Sequence, residues 1–183
     1  MGRDAITPQE LKALVRTIPD FPIEGIQFRD ITTLIGHGEG FAATVDWLAE
    51  RVSASGAQAI AGMEARGFIF GASVAAKLAL PFLPIRKPGK LPCETIGVDY
   101  ALEYGTDRLE MDPASVPAGQ RVAIVDDLLA TGGTACATTQ LLRDAGAVVE
   151  QAFFVIDLPD LGGATRLKDC GVAVEALMEF EGD

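Results

Sequence analysis

The sequence predicts an α/β fold in which a central, mostly parallel sheet carries helices on both faces. Short apolar runs alternate along the chain with longer segments whose apolar residues recur at helical spacing. The short runs are apolar at nearly every position, which is typical of parallel strands covered on both faces. A chain of this size can bury about 70% of its unfolded surface in one core. We therefore expect a single domain over residues 1–183.

The first part of the chain predicts two helices separated by an irregular stretch. Thr7 and Glu10 form a capping box with Pro8 at the first helical position. The apolar residues expected on one face of the first helix are Leu11, Leu14, Val15 and Ile18. Residues 23–37 look irregular, and residues 39–55 show the spacing of an amphipathic helix.

Five apolar runs predict the strands of the sheet. They cover residues 59–63, 81–85, 122–125, 153–156 and 172–177. A buried helix is expected over residues 68–79, and another between Gly133 and Gly146. Residues 86–95 predict a loop, and residues 96–111 a β-hairpin that turns near residues 105–107.

Ligands of such sheets bind beyond the carboxyl ends of the strands. This rule points to the loops that follow Met63, Ile85 and Val125.

Composition excludes several classes of function. The net charge of −11 argues against a nucleic-acid backbone as the main partner, because phosphates need a basic surface. Three cysteines without a C-x-x-C pair argue against a disulfide framework and a zinc knuckle. One histidine, His37, leaves little for a catalytic triad or a histidine metal site. No signal core or membrane-length apolar run occurs, so we expect a soluble, cytoplasmic protein.

An acid pair followed by a glycine-rich turn is the most informative segment. Asp126 and Asp127 follow a buried run, and two adjacent acids there repel each other and are costly to desolvate. Ligand hydroxyls, a metal or cations would compensate. Next comes a turn that leads into a helix and that can bind a phosphate through backbone N–H groups and hydroxyls. Its residues are Ala130, Thr131, Gly132, Gly133 and Thr134. The segment predicts a sugar-phosphate site.

Three cations lie close together in a chain that is otherwise acidic. Arg86, Lys87 and Lys90 follow the run over residues 81–85, at the edge of the sheet where ligands are expected. This position favours a pyrophosphate-binding role over a solvated charge run.

The acid pair and its turn resemble the 5-phosphoribosyl-1-pyrophosphate (PRPP) signature of the type I phosphoribosyltransferases. The resemblance extends over nearly the whole chain, and it is strongest to the branch of that family that uses adenine. The further matching segments are residues 19–22, 28–31, 66–68, 86–92 and 102–105.

The resemblance implies the architecture and the reaction. A small hood would come from about residues 1–37, and a flexible loop and hairpin from about residues 86–111. The expected reaction transfers the phosphoribosyl group of PRPP to adenine and gives AMP and pyrophosphate. Mg²⁺ would be held mainly by PRPP and water, without direct protein ligands. A homodimer is expected, with neither nucleic acid nor membrane as a partner.

The resemblance also implies residue roles around the sugar and the leaving group. Asp126 and Asp127 would hold the ribose hydroxyls, and residues 130–134 the 5-phosphate. Pyrophosphate would contact Ala65, Arg66, Arg86, Lys87 and Lys90. A strained, often cis peptide is expected between Ala65 and Arg66.

For the base, the resemblance implies contacts from Phe28, Arg29 and Leu128 and proton transfer by Glu103. Relatives that use 6-oxopurines commonly carry aspartate at the position of Ala130, so alanine favours a 6-aminopurine. Three alternatives stay open: a phosphoribosyltransferase for another base, a PRPP-sensing regulator that binds nucleic acid, and a non-catalytic sugar-phosphate-binding module.

Overall fold

A parallel sheet runs through the centre of the computed structural model, which describes residues 6–101 and 105–182. In chain order the elements are α1 (Pro8–Ala13), β1 (Arg16–Pro19), β2 (Gln27–Asp30), α2 (Thr32–Gly36), α3 (Gly38–Ser55), β3 (Ala59–Met63), α4 (Gly67–Leu78), β4 (Phe82–Ile85), β5 (Ile96–Ala101), β6 (Thr106–Met111), β7 (Arg121–Leu129), α5 (Gly133–Asp144), β8 (Val148–Asp157), α6 (Gly163–Asp169) and β9 (Ala173–Glu179). Short 3₁₀ turns occupy Pro113–Ser115 and Pro159–Leu161.

The central sheet has the strand order β4-β3-β7-β8-β9, and every neighbouring pair is parallel. The prediction of a parallel sheet is thus confirmed. Strands β7 and β8 are longer than the apolar runs that predicted them. The acid pair stays within the β7 ladder, where Asp126 is paired with Phe154 and Leu128 with Ile156. The pairing of β7 with β8 therefore places the two acids inside a regular strand, just before its last residues, Leu128 and Leu129.

Apolar side chains cover both faces of the sheet. On one face, Leu48 of α3 and Phe70 of α4 pack in a cluster that includes Ile60 and Ala123. On the other face, Leu141 of α5 packs in the cluster that contains Ala61, Ile124 and Leu167. Adjacent strand residues belong to opposite clusters because strand side chains alternate between faces. Each large side chain buried in this way contributes about 1.5–3 kcal/mol.

The N-terminal region corrects two predictions. The capping box is confirmed, because Thr7 Oγ1 accepts from the Glu10 amide and Glu10 Oε2 accepts from the Thr7 amide. However, α1 ends at Ala13, and Ile18 lies in β1 opposite Phe28 rather than on the helix. Strand pairing here overrides the helical spacing.

Residues 23–37 are not irregular throughout, because they contain β2 and α2. Both elements are too short for their periodicity to be recognised in a sequence. Asp30 joins them: its Oδ1 accepts hydrogen bonds from the amide and hydroxyl of Thr32, at 2.9 and 2.7 Å.

The predicted hairpin is present as β5 and β6, with its turn placed slightly earlier than expected. Ala101 pairs with Thr106 and Tyr100 with Asp107, so residues 106 and 107 belong to β6. Residues 102–104 lie outside the described part. Helix α6 was not predicted, because it has only 7 residues and begins at Gly163. None of the helices described is long and apolar enough to cross a membrane.

Candidate active site

A cavity of about 450 Å³ opens at the carboxyl end of β3 and β7. Its lining includes residues that follow β3, the last residues of β7, and the turn that leads into α5. The sequence-predicted site residues in this lining, together with Glu64, are Ala65, Arg66, Asp126, Asp127, Leu128, Ala130, Thr131, Gly132, Gly133 and Thr134. The loops expected to bind ligand after Met63 and Val125 therefore meet at one cavity.

Asp126 and Asp127 lie at this cavity with little exposure to solvent, at 9% and 5% respectively. Asp127 donates its amide N–H to Asp126 Oδ1 at 2.8 Å. A Cβ at Gly67 would collide with the Asp126 carboxylate, so the glycine lets α4 begin directly beside it. Burial raises the pKa of Asp126 well above its usual value, and the neighbouring Asp127 adds to this shift. A cationic ligand would favour the ionised form.

Arg66 neutralises the second acid of the pair. Its Nε lies 2.6 Å from Asp127 Oδ2, and the arginine side chain is 48% exposed while that of Asp127 is 6% exposed. The contact is an ion pair without hydrogen-bond geometry, and Asp127 Oδ2 has no hydrogen-bond partner within residues 6–101 and 105–182. A buried carboxylate oxygen without a hydrogen-bond donor is suited to accept a hydrogen bond from a ligand hydroxyl.

The turn between β7 and α5 exposes backbone donors to the cavity. Gly132 has φ +77° and lies against the backbone of Gly163, where a Cβ would be 2.9 Å from the Gly163 carbonyl oxygen. Cys136 makes the first amide bond of the helix, to the carbonyl of Gly132. The N-cap residue, Gly132, has no side chain and so makes no capping hydrogen bond to this end of α5. The backbone amides from Gly133 onward that precede Cys136 have no partner within the helix and are suited to bind an anion.

Glu64 organises the predicted cation loop, and the sequence analysis did not single it out. Arg86 Nε lies 3.1 Å from Glu64 Oε2, and the Lys87 amide donates to the same oxygen at 3.1 Å. These bonds lower the pKa of Glu64, with the Arg86 hydrogen bond as the largest cause. The sequence did contain a signal for this residue: Glu64 is an acid directly after β3, and the three cations follow the neighbouring strand β4. Arg86, Lys87 and Lys90 do not line the cavity themselves, and Arg86 borders it through Glu64.

A chain of polar contacts joins the cation loop to the phosphate-binding turn. The Lys87 ammonium pairs with Asp107 and lies 3.4 Å from the Tyr100 hydroxyl. Thr134 Oγ1 lies 3.5 Å from the same hydroxyl. Burial acts to lower the pKa of Lys87, but its hydrogen bonds to Asp107 and Tyr100 raise the pKa overall. The hairpin is thereby attached to both sides of the site.

The predicted base-binding residues occupy two places. Leu128 lines the cavity, while Phe28 and Arg29 lie in β2 beside it. The Arg66 guanidinium lies 6.0 Å from the centre of the Phe28 ring, which connects β2 to the acid pair. The Arg29 side chain donates to Thr17 Oγ1 at 2.8 Å and to the Glu181 carbonyl at 3.0 Å.

The cis peptide lies between Glu64 and Ala65, one bond before the expected position between Ala65 and Arg66. The carbonyls of Ala65 and Arg66 accept hydrogen bonds from the amides of Phe68 and Ile69 in the first turn of α4. The peptide between Ala65 and Arg66, where the cis bond was expected, therefore belongs to the start of the helix. Glu103, the expected proton-transfer residue, lies outside the described residues.

The phosphoribosyl transferase domain family matches residues 33–169. An adenine phosphoribosyltransferase of Erythrobacter litoralis is 70% identical over 177 residues, which cover 97% of this chain and 99% of that protein. The chain belongs to the adenine phosphoribosyltransferase family. The family member from Novosphingobium aromaticivorans is 67% identical over the same length, covering 97% of this chain and 99% of that protein.

Solved structures of the family share the fold. The crystal structure of the Thermoanaerobacter pseudethanolicus adenine phosphoribosyltransferase has a TM-score of 0.90 and 45% identity, covering 95% of this chain and 100% of that one. The Saccharomyces cerevisiae adenine phosphoribosyltransferase, crystallised with an imino-altritol bisphosphate and adenine, has a TM-score of 0.88 and 36% identity, covering 93% of this chain and 98% of that one. The type I phosphoribosyltransferase fold predicted from the sequence is confirmed.

Proposed function

We propose that this protein transfers the 5-phosphoribosyl group of PRPP to N9 of adenine, giving AMP and pyrophosphate in purine salvage. The observation that carries the proposal is the buried acid pair, Asp126 and Asp127, placed between Arg66 and the uncapped start of α5. This cavity offers an anion site, hydroxyl acceptors and a cation side by side, which is what a sugar bisphosphate requires. The adenine phosphoribosyltransferases that match this chain support the choice of base.

The ribose and its 5-phosphate would occupy the β7 side of the cavity. Asp126 and Asp127 would accept hydrogen bonds from the ribose hydroxyls, and Asp127 Oδ2, which is ion-paired with Arg66 but accepts no hydrogen bond from a described residue, would gain a donor. The turn over residues 130–134 would bind the 5-phosphate through its amides and threonine hydroxyls. As C1 of the ribose becomes cation-like, the two carboxylates would stabilise its charge.

Pyrophosphate would leave toward Ala65, Arg66 and the cation loop. Arg86, Lys87 and Lys90 would stabilise the charge that develops on it, once closure brings the loop over the cavity. An Mg²⁺ would be held mainly by oxygens of PRPP and by water, with the acid pair close by but not among its direct ligands. Bound to pyrophosphate oxygens, Mg²⁺ would make pyrophosphate a better leaving group.

Adenine would lie between the hood, residues 1–37, and Leu128. Phe28 would stack on the ring, while backbone groups near Arg29 would bind its edge. The Arg29 side chain is held by Thr17 and the C-terminal segment, which supports a role for its backbone. Glu103 would exchange a proton with the base. We expect Glu103→Leu to lower kcat far more than PRPP affinity, and equal activity would remove this role.

The reaction is tested by pyrophosphate release from PRPP and Mg²⁺ with four bases in parallel: adenine, hypoxanthine, guanine and xanthine. Release with adenine alone is the expected result. Release with another base would retain the phosphate site but overturn the roles of Phe28, Arg29 and Ala130. PRPP binding without release would overturn the enzymatic proposal.

We further propose that the protein acts in the cytoplasm as a homodimer of one-domain subunits, without nucleic-acid or membrane partners. The family resemblance supports the dimer, and the net charge of −11 supports the absence of a nucleic-acid partner. Light scattering on the purified chain should give twice the 19.2 kDa mass of one subunit. A single-subunit mass at assay concentration would refute the dimer.

A further inference from the structure

Two thiols face each other on the side of the sheet that carries α5 and α6. Cys136 lies in the first turns of α5, and Cys170 directly follows α6. Their Sγ atoms are 3.1 Å apart. Neither residue has a role in the proposed reaction. We propose that Cys136 and Cys170 form a reversible disulfide, which makes this pair an oxidative modification site next to the phosphate-binding turn.

The surroundings of the pair allow a small reagent to reach it. Both cysteines are partly exposed, so neither is sealed in the core. The Cys136 thiol lies 3.7 Å from the Arg166 carbonyl, within the contact between the two helices. A disulfide needs an S–S separation of about 2.05 Å, so the sulfurs must approach by roughly 1 Å. That distance is within the reach of side-chain rotation.

The two helices that the disulfide would join are already fixed to the phosphate-binding turn. Gly163, at the start of α6, packs against the backbone of Gly132. Arg166 Nη1 approaches the Thr131 carbonyl at 3.5 Å. The disulfide would link the C-terminal end of α6 covalently to α5, so that both ends of α6 would be fixed next to the phosphate-binding turn. Because the required movement is small, we expect the site to keep its shape.

The chemistry is a thiol–disulfide exchange with a low-molecular-weight disulfide such as oxidised glutathione. The Cys170 thiolate attacks one sulfur of the reagent, whose S–S bond breaks and releases one thiolate. The Cys136 thiol then loses its proton to solvent and attacks Cys170 Sγ, which expels the second glutathione thiolate. Two protein thiols are oxidised and one reagent disulfide is reduced to two thiols.

The order of attack follows from the environment of the two sulfurs. Burial, together with the neighbouring Cys170, raises the pKa of Cys136 to about 12. Little Cys136 thiolate therefore exists at neutral pH, so Cys136 acts as the second, resolving thiol.

The test treats the full-length protein with oxidised glutathione and measures intact mass and disulfide-linked peptides. The wild-type protein should lose the mass of two hydrogen atoms and yield one linked peptide that joins Cys136 to Cys170, reversed by dithiothreitol. Cys136→Ser should stop at the glutathione adduct on Cys170. The matched control is Cys93→Ser, which removes the exposed loop cysteine and should form the same link.

Thermal unfolding gives a second, independent readout. The link would close a loop between positions 136 and 170 and should raise Tm by at least about 5 °C in the wild type and in Cys93→Ser. The KM for PRPP should change less than about twofold. A wild-type protein that carries only glutathione adducts, or links through Cys93, would overturn the proposal. So would a linked protein whose Tm is unchanged.

Discussion

Gly132 offers the sharpest test of how the phosphate-binding turn is held. The residue has φ +77°, and a Cβ there would lie 2.9 Å from the Gly163 carbonyl oxygen and 3.1 Å from its Cα. Gly132→Ala therefore introduces two penalties: the left-handed backbone conformation and a collision with another backbone segment. The variant Gly119→Ala separates the two penalties, because Gly119 has the same φ of +77° but no atom within 4 Å of the position of a Cβ. It also lies before β7, at the end of the strand away from the cavity.

The expected magnitudes follow from these contacts. Left-handed strain costs about 1–2 kcal/mol, and alanine recovers about 0.4–1 kcal/mol by restricting the unfolded chain. Gly119→Ala should therefore lower the free energy of unfolding by about 1 kcal/mol and leave kinetics unchanged. Gly132→Ala must in addition displace the turn by roughly half an ångström, enough to lose about one hydrogen bond to the phosphate, or 1.5–3 kcal/mol. The KM for PRPP should rise by about tenfold or more.

The assay is pyrophosphate release at saturating adenine with PRPP titrated, alongside thermal unfolding of both variants. The expected pattern is a loss of Tm in both variants, larger in Gly132→Ala because of the added collision, with a raised KM only in Gly132→Ala. If Gly132→Ala binds PRPP within twofold of the wild type, the turn does not hold the 5-phosphate as proposed. If Gly119→Ala raises the KM equally, strain rather than the Gly163 contact is responsible.

Four further variants test charged side chains of the site and of the N-terminal region. Burial raises the folded-state pKa of Asp126 well above its usual value, so ionisation of this carboxyl costs stability as pH rises from about 4. Asp126→Asn should therefore lose less Tm than the wild type as pH rises above about 4. Asp30 has its pKa lowered to about 2 by hydrogen bonds from the hydroxyl and amide of Thr32. Asp30→Asn should destabilise by about 1 kcal/mol near neutral pH, and the gap in denaturant unfolding should close as pH falls toward 2. Arg86→Ala removes the ion-pair partner of Glu64 at the cavity and should raise the KM for PRPP more than Lys90→Ala, and equal effects would contradict this pairing.

The strands of the central sheet and the site at their carboxyl ends could be predicted from the sequence better than the hood. The runs at Ala59–Met63 and Phe82–Ile85 are short, apolar and bounded by turns, so local pattern and buried environment agree. The prediction that Ile18 lies on the first helix was wrong. Its spacing from Leu14 fits a helix, but Ile18 pairs with Phe28 in a β-ladder, a contact that local periodicity does not reveal.

The site shows the same division between local and long-range information. The acid pair and the turn after it are contiguous in sequence and were found together. Glu64 was missed because its partner Arg86 is 22 positions away and the contact depends on β3 lying beside β4. The cis bond lies before Ala65 rather than after it; its expected position came from the family resemblance, and no local pattern in the sequence indicates it.

The pairing of β7 restricts where this family can change its length. Strand β3 pairs with residues 122–124 of β7, and β8 holds β7 in register from Ala123 to its last position, where Leu129 is paired with Asp157. One inserted or deleted residue before Asp126 would turn both acids to the opposite faces of the sheet, because strand side chains alternate. Insertions and deletions among relatives should consequently fall in the hairpin turn or at the chain ends, and the span from Arg121 to Thr134 should keep a constant length.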